Sequence, residues 1–228
     1  MAVILCMETS TEMCSVAVSN GNQLLAMKEN ANGNSHAENL MPFIDHVLNE
    51  ANLTIRQIDA VCFSEGPGSY TGLRIGLSTA KGLCYALEKP LIALSTLQSM
   101  AWGARALFPD KSVYCPLIDA RRMEVYCAVY DANLQLVDTI QNKIIDADSF
   151  KNLIEKESIV FCGNGVEKCK HVIIPNPNIM YATSTNSAAF MIELAYTKFL
   201  NQEFADLAYF EPFYLKEYIA GKPHVKGL

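Results

Sequence analysis

Hydrophobic patterning divides this 228-residue chain into two stretches that read in the same order. In the first, residues 3–7 are apolar throughout, and 14–18 carry small and β-branched residues. Residues 23–28 follow Asn20-Gly21, a dipeptide that accepts positive φ and marks a hairpin. Ala37, Leu40, Met41, Ile44, Val47, Leu48 and Ala51 form a 3.6-residue stripe, so a helix is expected near 35–51. Ser35 with Glu38 forms a capping-box pattern at its start, and Pro42 is expected to kink it or shift its true beginning. A strand at 58–63, a glycine-rich loop, a helix near 71–87, a short strand at 91–94 and a helix at 96–107 complete the first half.

The second half restates this order. Strands are expected at 113–119, 124–130 and 134–145, with turns at Ala120-Arg121-Arg122 and Asp131-Ala132-Asn133. Then come a helix near 147–157, a strand at 159–162, a Gly163-Asn164-Gly165 turn, a Pro175-Asn176-Pro177-Asn178 loop and a helix near 187–200. The chain is therefore read as α/β, with a first lobe at 1–108 completed by the tail at 205–228, and a second lobe at 109–204. The repetition is one of pattern and not of residue identity. A cleft between two lobes is a common setting for a ligand.

Half of the residues are hydrophobic and 18% are charged, enough apolar surface to offset chain entropy, which excludes a disordered chain. A net charge of −6 argues against gripping nucleic acid by overall charge and leaves open a local basic patch or a partner. No stretch reaches the roughly 20 apolar residues of a membrane span. The apolar start has no basic n-region and reads as a buried strand, not a signal peptide. Eight cysteines lie scattered, mostly within apolar runs and without a C-x-x-C pair. Buried reduced thiols in a cytosolic protein are expected, and neither zinc nor disulfides.

The most informative segment is Ser64-Glu65-Gly66-Pro67-Gly68-Ser69-Tyr70-Thr71-Gly72-Leu73-Arg74-Ile75-Gly76. It leaves a strand and enters a helix, where backbone N–H groups can converge on an anion. It lacks the G-x-x-x-x-G-K-S/T order of a P-loop, and a well-capped connection without a ligand is the alternative reading. In the following helix Leu73, Ile75, Leu77, Ala80, Leu83, Cys84 and Leu87 nearly surround the axis, while Gly72, Gly76 and Gly82 admit another backbone. Such a helix is buried on more than one face, either by another polypeptide or as a central core helix of this chain.

The segments ILCMETSTEMCSVAVS (4–19), GPGSYTGLRIG (66–76) and IDARRMEVYCAVY (118–130) resemble the TsaB family, also called YeaZ. PFYLK (212–216) is similar to that family's Pro-x-Tyr-Leu-Arg ending. The resemblance implies a two-lobed actin-like ATPase fold (ASKHA, duplicated RNase H-like) and a non-catalytic role in making N6-threonylcarbamoyladenosine at position 37 of tRNA. It implies pairing with a TsaD-like catalytic paralogue, a TsaE-like ATPase and, in isolation, a second copy, with tRNA reached through the complex. The interface implied is on the first lobe's two helices, at Leu40, Ile44, Tyr70, Leu73, Arg74, Leu77, Ala80 and Lys81. Charging Leu73 or Leu77 is then expected to abolish pairing and leave the monomer folded.

The resemblance also makes Glu8, Thr9, Ser10, Thr11, Gly66, Gly68, Ser69, Thr71, Asp119 and Arg121 degenerate nucleotide or cleft loops. Kinases of the superfamily place an aspartate where this chain has Glu8, longer by one methylene, so turnover of ATP by this chain alone is not expected. ATP or ADP belongs, in this reading, at an interface within the complex. The catalytic paralogues hold a metal with His-x-x-x-His. Here His36 is followed four residues on by Leu40, and His46 pairs with nothing nearby, so His36 reads as a capping or surface histidine. Asp119 with Arg121 and Arg122 is either a solvated turn or a cleft-facing cluster. The rival readings are an autonomous ATPase or kinase and a metallopeptidase.

Overall fold

The first strand, β1 (Val3–Glu8), is hydrophobic on both sides because both of its faces are covered, and its neighbours follow from that. A computed structural model describes residues 1–31, 36–182 and 186–216. β2 (Cys14–Asn20) and β3 (Gln23–Asn30) fold back antiparallel around Gly21 at φ 59°, the turn that Asn20-Gly21 encodes. β4 (Ala60–Gly66) and β5 (Leu91–Ser95) add parallel strands on the other side of β1, giving the order β3-β2-β1-β4-β5. The second lobe repeats it: β6 (Val113–Asp119), β7 (Glu124–Asp131), β8 (Leu136–Ile144), β9 (Ile159–Cys162) and β10 (Ile179–Ala182) stand in the order β8-β7-β6-β9-β10. Two sheets of identical topology make this an actin-like fold built from a duplicated RNase H-like unit.

Helices cover both faces of each sheet. On the first, α1 (His36–Glu50) and α2 (Tyr70–Leu87) bury Leu40, Ile44, Val47, Leu77, Ala80 and Cys84 against Leu5, Val16, Val61 and Phe63. Burying each large side chain contributes about 1.5–3 kcal/mol. On the second sheet, the short α4 (Lys151–Ile154) and α5 (Val166–Cys169) play this part, with Ile154, Val166 and Cys169 against Cys115, Val125 and Phe161.

The remaining helices cross over. α3 (Thr96–Leu107) packs Leu97, Met100 and Ala104 on Tyr114, Ala128 and Val160 of the second sheet. The 3-10 turn Ala188–Met191 and α6 (Ile192–Leu200) pack Met191, Ile192 and Ala195 on Ile4, Cys62 and Ile92 of the first. This corrects the division at residues 108 and 204 as far as the helices go, because periodicity shows a helix's apolar stripe and not which sheet it covers. Residues 205–210 return to the first lobe, where Ala205 N–H donates to Leu91 O (2.8 Å) and the Phe210 ring meets Phe63 edge-on.

Several elements depart from the sequence reading. α1 continues through Pro42, which is exposed in its second turn, so the proline neither ends the helix nor marks its beginning. The capping box at Ser35 lies outside the described residues, as do residues 217–228 of the tail. The helix expected over 147–157 is reduced to α4, since Phe150 sits at φ 63°, a left-handed conformation that no helix propagates through. β10 and α5 were not expected; each has four residues, too few to show a period. All eight cysteines are buried and outside any disulfide, and burial pushes the thiols of Cys14, Cys84 and Cys169 up to about 11 and that of Cys127 to about 12. Among the described residues no helix is long and apolar enough to cross a membrane.

Candidate functional site

The glycine-rich connection between β4 and α2 is filled by the chain itself. Ser69 N–H donates to the Ser10 carbonyl (2.6 Å), and Thr9 Oγ1 donates to the Gly72 carbonyl (2.8 Å). A Cβ at Gly68 would stand 2.3 Å from Ser10 O, and one at Gly72 2.0 Å from Thr9 O. The glycines are therefore needed so that the loop after β1 can lie against the start of α2. Ser69 caps that helix, its hydroxyl accepting from Gly72 N–H. The close packing that one reading expected is present on the Thr9 and Ser10 side, while Gly68, Ser69, Thr71 and Gly72 also line the cleft.

Glu8 is equally committed. It is fully buried at the end of β1, where one carboxylate oxygen accepts from Ser10 N–H (2.6 Å) and the other from Ser64 Oγ. Burial pushes its carboxyl above the usual carboxylate range, against those hydrogen bonds. A carboxylate enclosed in this way has no face left for a phosphate-bound metal. His36 is not a surface residue either. It is buried, and its Nε2–H donates to the Thr11 carbonyl (2.8 Å), pinning the start of α1 to the same loop. Leu40, one turn on, lies in the core. His46 does have a partner, Glu50 at 3.3 Å, an i,i+4 pair on the exposed side of α1.

Between the lobes lies a cleft of about 1130 Å³. The first lobe contributes Ser10, Thr11, Glu12 and the Gly68–Gly72 turn, and the second Asp119, Arg121, Arg122 and Asn164. Residues 213–216 form part of its rim, with Phe213 N–H on Glu65 O (2.8 Å) and Lys216 paired with Glu124. Asn164 joins the lobes, donating to Glu12 (2.6 Å) while accepting from Asp119 N–H. Asn186 donates to Thr11 Oγ1 (2.7 Å). The Asp119–Arg122 corner thus faces the cleft. Lys168 buttresses it through Asp119 and the carbonyls of Arg122 and Glu124. Lys216, then Asn142, hold the Glu124 carboxyl below its ordinary range.

Sequence reasoning missed Glu124, Asn164, Lys168 and Lys216. A signal was available for Asn164: the Gly163-Asn164-Gly165 turn follows β9 as Gly66-Pro67-Gly68 follows β4.

The helix faces need a correction. Leu40, Ile44, Leu73, Leu77 and Ala80 are buried within the lobe's own core, so they cannot meet a partner. A small lobe needs its apolar stripes to cover its own sheet. Ile75 and Leu83 also pack against that core, and Gly72 and Gly76 face Thr9. Tyr70, Arg74 and Lys81 do reach the surface: Arg74 lies 4.1 Å over the Tyr70 ring, and Lys81 donates to Ala208 O. The outward line of α2 is Arg74, Ser78, Gly82, Tyr85 and Ala86. Tyr85 is 81% exposed, and a Cβ at Gly82 would meet nothing within 4 Å.

The family described as "TsaD: tRNA N6-adenosine threonylcarbamoyltransferase" matches residues 29–223. The tRNA threonylcarbamoyladenosine biosynthesis protein TsaB of Haemophilus influenzae is 29% identical over 228 residues, covering 96% of this chain and 95% of the relative. TsaB of Buchnera aphidicola subsp. Schizaphis graminum is 32% identical, covering 74% and 81%. A Pseudomonas aeruginosa crystal structure, described as similar to the peptidase YeaZ, superposes with a TM-score of 0.84 at 26% identity. It covers 95% of this chain and 100% of that one.

Proposed function

Because this chain belongs to the TsaB (YeaZ) family, we propose that it serves the biosynthesis of threonylcarbamoyladenosine in tRNA as a non-catalytic subunit. It pairs with a TsaD-like catalytic paralogue, and with a second copy of itself when the paralogue is absent. A TsaE-like ATPase acts on the assembled pair. The docking face is the outward side of α1 and α2, around Met41, Arg74, Ser78, Gly82 and Tyr85. Its work is positional: it holds the paralogue's active site, and any nucleotide there, in a productive arrangement.

The observation that carries this reading is Gly82. A glycine inside a helix costs about 0.5–1 kcal/mol relative to alanine. Among the described residues nothing comes within 4 Å of a Cβ placed on Gly82. Ser78, Gly82 and Ala86 recur every four residues on the exposed line, a spacing that lets a second helix come close. The committed Glu8 and the filled glycine-rich loop speak against an autonomous ATPase, and His36, bound to a carbonyl, against a metallopeptidase.

The test is gel filtration and co-purification with the paralogue, comparing wild type with Gly82→Leu and Tyr85→Asp. Both variants are expected to remain folded monomers that no longer pair. Persistence of the pairs would count against this face.

A further inference from the structure

We infer that the rim of the inter-lobe cleft binds an unpaired RNA segment, with the Arg121–Arg122 corner taking its phosphates and the neighbouring tyrosines its bases. The inference rests on the functional reading above and adds a direct RNA contact to this subunit.

The arginine corner is a held arrangement. Arg121 and Arg122 take φ values of 66° and 49°, a left-handed pair that non-glycine residues adopt at a cost. Asp119 accepts from Arg121 N–H (2.7 Å), and Lys168 donates to the Arg122 carbonyl (3.0 Å), fixing the corner from behind. Both arginines are exposed, and neither guanidinium forms an ion pair among the described residues. The carboxylates beside them are already matched: Asp119 by Lys168 and Glu124 by Lys216. Glu12, across the cleft, is occupied by Asn164. Arg121 and Arg122 are therefore exposed at the cleft with no close ion pair of their own, Arg122 only adding to the field that lowers Glu124, and an exposed arginine fork suits a phosphate.

Aromatic rings stand beside them. Tyr70, Tyr126 and Tyr214 line the opening. Tyr70 and Tyr214 lie 4.8 Å apart at a 38° tilt, with Arg74 over Tyr70. Alternating rings and cations are what unstacked bases and their backbone require. Thr9 and Ser10 pack against one side of the glycine-rich turn, which leaves a free nucleotide's phosphates only its cleft side. A duplex fits less well still, since its bases are held in the stack. The net charge of −6 repels RNA in general, so attachment depends on this corner.

The experiment is fluorescence anisotropy of a labelled RNA hairpin with an unpaired loop, titrated with the full chain at several salt concentrations. The hairpin is expected to bind and a duplex of the same composition to bind markedly less. Excess ATP should leave the hairpin bound. Arg121→Gln with Arg122→Gln should weaken binding about tenfold and flatten the slope of log affinity against log salt by about 1. Arg121→Lys with Arg122→Lys should restore most of both, which separates lost charge from lost fold. Tyr214→Leu should weaken binding and leave the salt slope unchanged.

Absence of binding by wild type, an unchanged slope in the glutamine variant, equal binding of duplex or full competition by ATP would each overturn the inference. Pairing, measured by gel filtration on the same proteins, is independent. Lost RNA binding with intact pairing counts against the RNA site alone, and the converse against the docking face alone.

Discussion

At Gly72 an added methyl carbon would stand 2.0 Å from the Thr9 carbonyl oxygen, whereas at Gly82, ten residues along the same helix, it would meet nothing within 4 Å. Opposite outcomes follow. Gly72→Ala is expected to lower stability by about 1–3 kcal/mol, because backbone must move to admit it. Gly82→Ala should raise the stability of the single chain by about 0.5–1 kcal/mol. Urea unfolding of both variants checks the pair; a loss at Gly82 or a gain at Gly72 would contradict the packing described. Glu8 titrates with a raised carboxyl, so its contribution is fully present below the unfolded-chain value of 4.5 and is lost as pH rises through the folded value. Glu8→Gln removes that titration while keeping an acceptor for Ser10 N–H. Its urea midpoint, relative to wild type, should therefore climb as pH is raised from the acid side toward neutrality. A difference that stays flat with pH would count against a buried Glu8 whose carboxyl is raised.

On α2 the apolar pattern is correct as a list and misleading as a direction. Leu77 and Ala80 are apolar because they cover the lobe's own sheet, Leu73 because it is buried beside Gly66, and the surface that remains is marked by small residues and one exposed tyrosine. Leu73→Asp is accordingly expected to cost the fold itself about 4–5 kcal/mol, as a charge is driven into the core. Circular dichroism should show loss of cooperative structure, and a folded monomer would restore the original assignment. What was legible at this scale was legible for physical reasons. Strands such as β1, β6 and β9 declared themselves by unbroken apolar runs, and the first hairpin by Asn20-Gly21. What was not legible depended on neighbours or on single backbone conformations. Phe150 at φ 63° truncates α4, and no propensity predicts a left-handed phenylalanine. His36 looked like a cap in sequence because its acceptor, Thr11 O, is brought to it only by folding.

For the molecule as a whole, the repeated order of elements carried the two-lobed topology, and of the tail expected at 205–228 to complete the first lobe, Ala205, Leu207 and Phe210 pack there. The exchange of α3 and α6 between lobes was hidden, since an apolar stripe does not name its sheet. The cleft was half visible: Asp119 and Arg121 were singled out, while Asn164, Lys168 and Lys216 gain meaning only from where the second lobe and the tail place them. The central proposal is that catalysis resides in a paralogue and positioning in this chain. The most direct measurement is the yield of threonylcarbamoyladenosine in tRNA from a reconstituted TsaD-like and TsaE-like mixture, with this chain omitted, added as wild type, or added as Tyr85→Asp. Product should require the wild-type chain and fall toward the level of omission with the variant. Equal product without this chain, or undiminished product with Tyr85→Asp, would contradict it.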